Sequence, residues 1–131
     1  MNREILFRGK RKQDGVWCHG DLVRLKDGDT QMPCIYYFGE VYPESIGQFT
    51  GVYDKNGDEI YEGDILEFDG AEIPEEERAV VVYIDSEGCF KLKNPRYDYM
   101  DDLNSLTASM EIIVGNTYDG IYGEDKRGVE E

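Results

Sequence analysis

Apolar and polar residues alternate along most of this chain in short runs, and the runs are broken repeatedly by glycine, aspartate and asparagine. A period of two is the pattern of strands with one buried face, and turn residues between such runs mark chain reversals. Residues 3–8 read as a first strand, which Lys12-Gln13-Asp14-Gly15 turns back. A second strand covers 16–25, and its break at Gly20-Asp21 predicts a bulge between two half-strands. Lys26-Asp27-Gly28-Asp29 is the next turn. The 32–38 run is dense in β-branched and aromatic residues (Ile35, Tyr36, Tyr37, Phe38) and predicts a buried or central strand. Val41-Tyr42-Pro43-Glu44-Ser45 reads as a loop, because Pro43 fixes φ and removes a hydrogen-bond donor.

The chain is organised around residues 46–68. Asn56-Gly57 lies between β-rich segments and predicts a hairpin with a type I′ turn, since both residue types tolerate positive φ. Glu62-Gly63-Asp64 then predicts a sharp turn or bulge before Ile65-Leu66-Glu67-Phe68. Residues 69–78 hold Glu72, Glu75, Glu76 and Glu77 around Pro74 with few apolar partners, which favours an exposed, mobile acidic loop or one frayed helical turn. Residues 79–84 form a clear strand, Asp85-Ser86-Glu87-Gly88 its turn, and 89–93 its antiparallel partner. The period then changes: Tyr99, Leu103 and Leu106 fall at helical spacing and predict a short helix over 99–107. Residues 110–114 are the last core strand, Gly115-Asn116 a turn, and the tail from about 120 to 131 is expected to fray. These elements predict an all-β fold: a small antiparallel barrel or sandwich of seven to nine short strands with one short helix. The Glu-Gly-Asp turn resembles the diverging turn of SH3-like barrels.

A length of 131 residues suits one domain, 1–131, with a core of its own. Charge changes the picture more. The net charge of −15 repels nucleic acid and anionic membranes over most of the surface, so neither is expected as a partner. Residues 1–12 run against this trend, with Arg3, Arg8, Lys10, Arg11 and Lys12 against Glu4 alone. Such a distribution could steer one copy toward another, or simply place a basic strand end in solvent. Cys18, Cys34 and Cys89 are odd in number and widely spaced, which argues for a reducing compartment and small core residues rather than disulfides. No signal peptide and no apolar run approaching the ~20 residues of a membrane span is present, so a cytoplasmic protein is expected.

Candidate chemistry is sparse. His19 is the only histidine and neighbours Cys18, but adjacent strand residues point to opposite faces and zinc-ligand spacing is lacking, so no metal or other cofactor is expected. Asp54, Asn56 and Asp58 resemble the start of a calcium loop, yet the sixth position is Glu59 rather than glycine and the twelfth is Ile65 rather than glutamate. Carboxylates such as Glu59, Glu62 and Asp64 could in principle act as acid and base, but among 29 acids close pairs arise by chance, and bracing the turn is the simpler role for Glu62 and Asp64. No catalytic residue is assigned. The aromatic load says more: some of ten tyrosines on alternating strands must face outward, and Tyr36, Tyr53 and Tyr61 are the candidate interaction surface.

Three segments resemble one family. Gly47-Gln48-Phe49-Thr50-Gly51-Val52, then Asp54-Lys55-Asn56-Gly57, then Ile60-Tyr61-Glu62-Gly63-Asp64-Ile65 is similar to the central signature of the YopX family of phage and prophage proteins. Phe49 and Val52 stand where that family typically has tyrosine and leucine. Ile5-Leu6-Phe7-Arg8-Gly9-Lys10 resembles its opening strand, and Glu111-Ile112-Ile113-Val114-Gly115-Asn116-Thr117-Tyr118 its closing motif, although Asp119-Gly120-Ile121 replaces the usual Glu-Asn-Pro. The resemblance implies a mostly β domain encoded by phages and thus the host cytoplasm, with structural signature residues Gln48, Thr50, Gly51, Asp54, Asn56, Gly57, Ile60, Tyr61, Glu62, Gly63, Asp64, Gly115 and Asn116. It supplies a fold and a setting rather than a reaction.

The expectation is therefore a non-enzymatic phage accessory protein acting by contact with a host or phage protein, or with its own copies. The alternative is an acidic decoy that mimics nucleic acid and occupies a host DNA-binding protein.

Overall fold

Turn chemistry and alternation produce antiparallel ladders throughout the computed structural model, which describes residues 5–97 and 99–122. The chain divides into two compact units, Met1–Gly51 and Val52–Glu131.

In the first unit, β1 (Phe7–Lys10) and β2 (Trp17–Gly20) pair in register from Phe7 with Gly20 to Lys10 with Trp17. Asp14 holds their connection: its carboxylate accepts from Val16 N at 3.1 Å and pairs with the Arg11 guanidinium. The break at Gly20-Asp21 is larger than the expected bulge. It ends β2, and the next strand belongs to another sheet, in which β3 (Leu22–Asp27), β4 (Thr30–Ile35) and β5 (Gly39–Glu40) lie in that order. Cys18, Ile35 and Val41 form the buried centre, with Phe7, Leu22 and Ile46 packed around it. A side chain on Gly9 would come within 2.8 Å of Val41 Cγ2, so glycine there lets β1 lie directly on the core. The 41–45 segment carries a single turn of 3-10 helix, Pro43–Ser45, and β6 (Gly47–Tyr53) then pairs its first residues with Phe7 and Arg8.

β4 is central to its sheet, as expected, but it stops at Ile35. Tyr36, Tyr37 and Phe38, placed by their β propensity in that buried strand, instead form its exposed turn to β5. Propensity describes what fits a pleated surface; here the ladder ends at Ile35, before any of the three can use it.

The second unit starts within β6. β7 (Glu59–Tyr61) follows the 54–58 turn, and β8 (Asp64–Phe68) follows Glu62-Gly63. β9 (Arg78–Ile84), β10 (Cys89–Asn94), β11 (Tyr99–Asp102), β12 (Glu111–Asn116) and β13 (Gly120–Ile121) join β8 in a six-stranded antiparallel sheet of order β11-β10-β9-β8-β12-β13. Its core is Ile60, Leu66, Ala79, Val81, Leu92 and Ala108. No sheet among the described residues closes into a barrel, so the fold is all-β with open antiparallel sheets.

Three expectations are corrected here. The first four residues of the helix expected over 99–107 are strand: Tyr99 to Asp102 pair with Asn94 to Lys91, and the ladder outweighs a narrow apolar stripe whose Leu106 is left 73% exposed. Only α1 (Ser105–Ala108) is helical. It starts where a capping box starts it, with Asn104 Oδ1 accepting from Leu106 N and Thr107 N at 3.0 Å and Thr107 Oγ1 accepting from Asn104 N. Gly115 and Asn116 belong to β12 and not to a turn, which comes at 117–119. Gly120 and Ile121 pair with Asn116 and Gly115 instead of fraying; positions 123–131 of the expected tail lie outside the described residues.

The acidic 69–78 segment contains a single 3-10 turn, Pro74–Glu76, and it is tied to the sheet. Asn94 Nδ2 donates to Glu76 O at 3.2 Å, and Arg96 pairs with the Glu76 carboxylate at 3.0 Å. No helix among the described residues is long and apolar enough to cross a membrane.

Candidate functional site

The signature around the central hairpin is built from buried polar side chains that hold backbone. Asp54 Oδ1 accepts from Asn56 N and Asp58 N, both at 2.9 Å, and Oδ2 accepts from Ile113 N on β12 at 3.1 Å. This is why the turn is not type I′. Gly57 N donates to Asp54 O at 3.0 Å and Gly57 sits at φ 82, while Asn56 does not have positive φ. The result is a type I turn followed by a left-handed glycine, the three-residue hairpin. The same hydrogen bonds occupy the carboxylate that a calcium loop would need.

Asp64 and Asn116 are register partners on β8 and β12, and both are fully buried. Asp64 Oδ2 accepts from Tyr61 N at 2.7 Å and braces the Glu62-Gly63 turn. Asn116 Oδ1 accepts from Tyr118 N and Asp119 N at 2.9 and 2.7 Å and braces the next turn. The two turns are themselves joined, since Thr117 N donates to Gly63 O at 2.8 Å. Gly115 completes the arrangement: a Cβ there would stand 2.3 Å from Gly120 O. Ile60 is a core residue, Gln48, Thr50 and Glu62 are half-buried, and Gly51, Asn56 and Gly57 are exposed.

A family model described as YopX protein matches residues 6–120. The chain belongs to the YopX family. The YopX match reaches into both compact units and takes in all three motif segments apart from Ile5. The crystal structure of protein EF1440 from Enterococcus faecalis is similar at 21% identity with a TM-score of 0.48, covering 86% of this chain and 92% of that one. No curated protein matches the chain. In this YopX chain the signature thus reads as architecture, with its buried acids and amide committed to main-chain N–H groups.

Two places outside that architecture offer surface chemistry. One is aromatic. Tyr36 and Tyr53 are exposed as anticipated, whereas Tyr61 is only 2% exposed and donates its hydroxyl to Glu59 Oε1 at 3.1 Å, so it leaves the candidate interaction surface. Its strand packs inward because Ile60 and Tyr61 sit just before the Gly63 reversal, where both faces are covered. Joining Tyr36 are Tyr37 and Phe38, at 66%, 90% and 40% exposure respectively along the three. Tyr37 is the one non-glycine residue among those described with positive φ, at 80°. Its ring meets Phe38 edge to face at 5.7 Å between centroids.

The other place is a cavity of about 190 Å³ in the second unit, in whose lining are Phe68, Leu92, Met110, Asp101, Glu77 and Glu111. Register explains their convergence. Glu111 lies opposite Phe68, and Asp101 opposite Leu92, which lies opposite Val81. Leu66, two places before Phe68, lies opposite Ala79, two places before Val81, so Glu111, Phe68, Leu92 and Asp101 project from one face of the sheet. Burial, reinforced by the charges of Glu77, Asp101 and Glu67, pushes the Glu111 carboxyl up to about 7. Sequence reasoning missed this residue. Its one signal was an acid in an otherwise apolar strand, and its partners are far away along the chain.

The remaining candidates keep apart. Cys18 is buried while His19 faces out, as strand alternation requires. Cys34 is buried too, and burial raises its thiol above the usual range. All three cysteines are free.

Proposed function

We propose that this YopX-family chain is a phage- or prophage-encoded accessory protein of the host cytoplasm, non-enzymatic, which acts by protein–protein contact through the aromatic turn at Tyr36, Tyr37 and Phe38. The supporting observation is the conformation of Tyr37, a bulky residue with 90% exposure at φ 80. Left-handed backbone costs a non-glycine residue roughly 1–2 kcal/mol. Exposed aromatic area adds a further unfavourable contact with water, which burial against a partner would relieve. Neither cost serves the fold, whose core lies elsewhere at Cys18, Ile35 and Val41. Tyrosine and phenylalanine held on a short, well-braced hairpin match the anchors that dominate protein interfaces.

The test is affinity capture from host lysate at low and high salt, with wild type and with Tyr37→Ser/Phe38→Ser. A partner kept at high salt by wild type and lost by the variant supports the reading. Basic DNA-binding proteins, captured equally by both and released by salt, would overturn it in favour of the acidic decoy that a net charge of −15 suggests. Capture of the chain's own copies alone, abolished in the variant, would make the contact a homotypic one.

A further inference from the structure

The cavity beside Glu111 stands on residues separate from the aromatic turn. Glu111 is 8% exposed and lines the cavity, and no described residue donates a hydrogen bond to its carboxylate. A buried carboxylate without a partner is costly, and proteins rarely leave one so. Its neighbours deepen the deficit. Glu77, preceding β9, and Asp101, on β11, line the same cavity, while Glu67 on β8 is held at 3.1 Å by Arg78. Cations on neighbouring segments are paired with other acids, Lys55 with Asp69 and Arg96 with Glu76. From α1 and its exit the cavity receives Thr107 and Met110, neither of which carries charge.

The other walls are apolar, formed by Phe68, Ala79 and Leu92. No group of three or more His, Cys, Asp or Glu among the described residues could hold a metal ion. The cation that answers Glu111 in its charged form is organic, with a charged head for that one carboxylate and a short aliphatic body for the apolar walls. At about 30 Å³ for each water-sized group, a volume of about 190 Å³ admits a chain of four or five carbons with its ammonium.

We infer that this cavity is a binding site for a primary alkylammonium group, with Glu111 as its buried counter-ion and Glu77 and Asp101 at the rim. The same chemistry is carried by a free aliphatic amine and by a lysine side chain. Binding is expected to be weak for so small a group, in the millimolar range.

Titration of isotope-labelled protein with n-butylammonium chloride at pH 8, followed by amide chemical shifts, tests the site. Saturable shifts centred on Phe68, Leu92 and Glu111 are expected, with n-butanol producing none. Glu111→Gln should weaken binding at least tenfold, and Asp101→Asn, on an exposed position, by a few fold. Lowering the pH to 5 should weaken wild-type binding as Glu111 takes a proton. Tighter binding of Nα-acetyl-lysine N-methylamide than of butylammonium would identify a protein lysine as the source, and the reverse a free amine. No saturable shift with either amine, or equal affinity in folded Glu111→Gln and Asp101→Asn, would overturn the inference.

Discussion

Asp54 and Ile113 lie 59 positions apart and are joined directly, the Ile113 amide donating to Asp54 Oδ2 at 3.1 Å. One buried side chain thus closes its own hairpin turn and fastens that turn to β12. Lys55 N, donating to Glu111 O at 2.9 Å, adds a second link between the same segments.

Asp54→Ala leaves three backbone N–H groups without their acceptor. A loss of about 3 kcal/mol is expected. Asp54→Asn keeps one accepting oxygen and should cost about half as much. Urea unfolding measures both, and an unchanged midpoint for Asp54→Ala would show that water replaces the carboxylate at no cost.

Two of the signature glycines, Gly57 and Gly115, should fail for different reasons. Gly57 has open space around it but φ 82, so Gly57→Val is expected to cost about 1–2 kcal/mol, whereas Gly57→Asn should be mild because asparagine tolerates left-handed backbone. Gly115 has no room: a Cβ would meet main chain at Gly120 and Ile121. Gly115→Ala should cost about 2 kcal/mol or more by displacing β13, and Gly115→Asn should be no better. Thermal unfolding of the four variants separates conformational strain from collision.

Glu111 makes stability depend on pH with a definite sign. Its carboxyl is raised from an ordinary 4.5 to about 7, first by burial and then by neighbouring acids. The folded state consequently holds the proton more tightly than the unfolded chain. The contribution is complete below about pH 4.5 and is lost as pH rises through 7, amounting to about 1–2 kcal/mol once solvent screening is allowed for. Glu111→Gln should therefore raise the melting temperature at pH 8 by several degrees and change it little at pH 4.5. Equal melting shifts at both pH values would remove Glu111 as the titrating group.

Tyr37→Gly relieves a left-handed tyrosine and removes its ring. Stability is expected to be unchanged or to rise by up to about 1 kcal/mol, since relief of strain is offset in part by the added freedom of the unfolded chain. Partner capture should fall at the same time. A destabilised variant that still captures the partner would mean that the ring serves the fold.

Strand positions and most turns were legible because alternation and turn chemistry are local. Asp14-Gly15, Gly28-Asp29 and Ser86-Glu87-Gly88 all reverse the chain where expected. Errors arose where a local preference met a competing partner. Tyr99, Leu103 and Leu106 had helical spacing, but Tyr99 to Asp102 found an open edge on β10. Tyr36 to Phe38 had strand propensity but lay beyond the last rung of β4. Tyr61 was counted as surface because alternation does not reveal when both faces of a strand are covered.

Family membership and the all-β character were already written in residue order, since motifs and turn propensities act between near neighbours. So was the bracing role of Asp64, which reaches only to Tyr61. The hold of Asp54 on Ile113, the meeting of Asp64 with Asn116, and the grouping of Glu77, Asp101 and Glu111 around one cavity depend on strand register across the sheet. Register is set by how apolar faces pack together, a cooperative property of the folded chain that no short stretch contains.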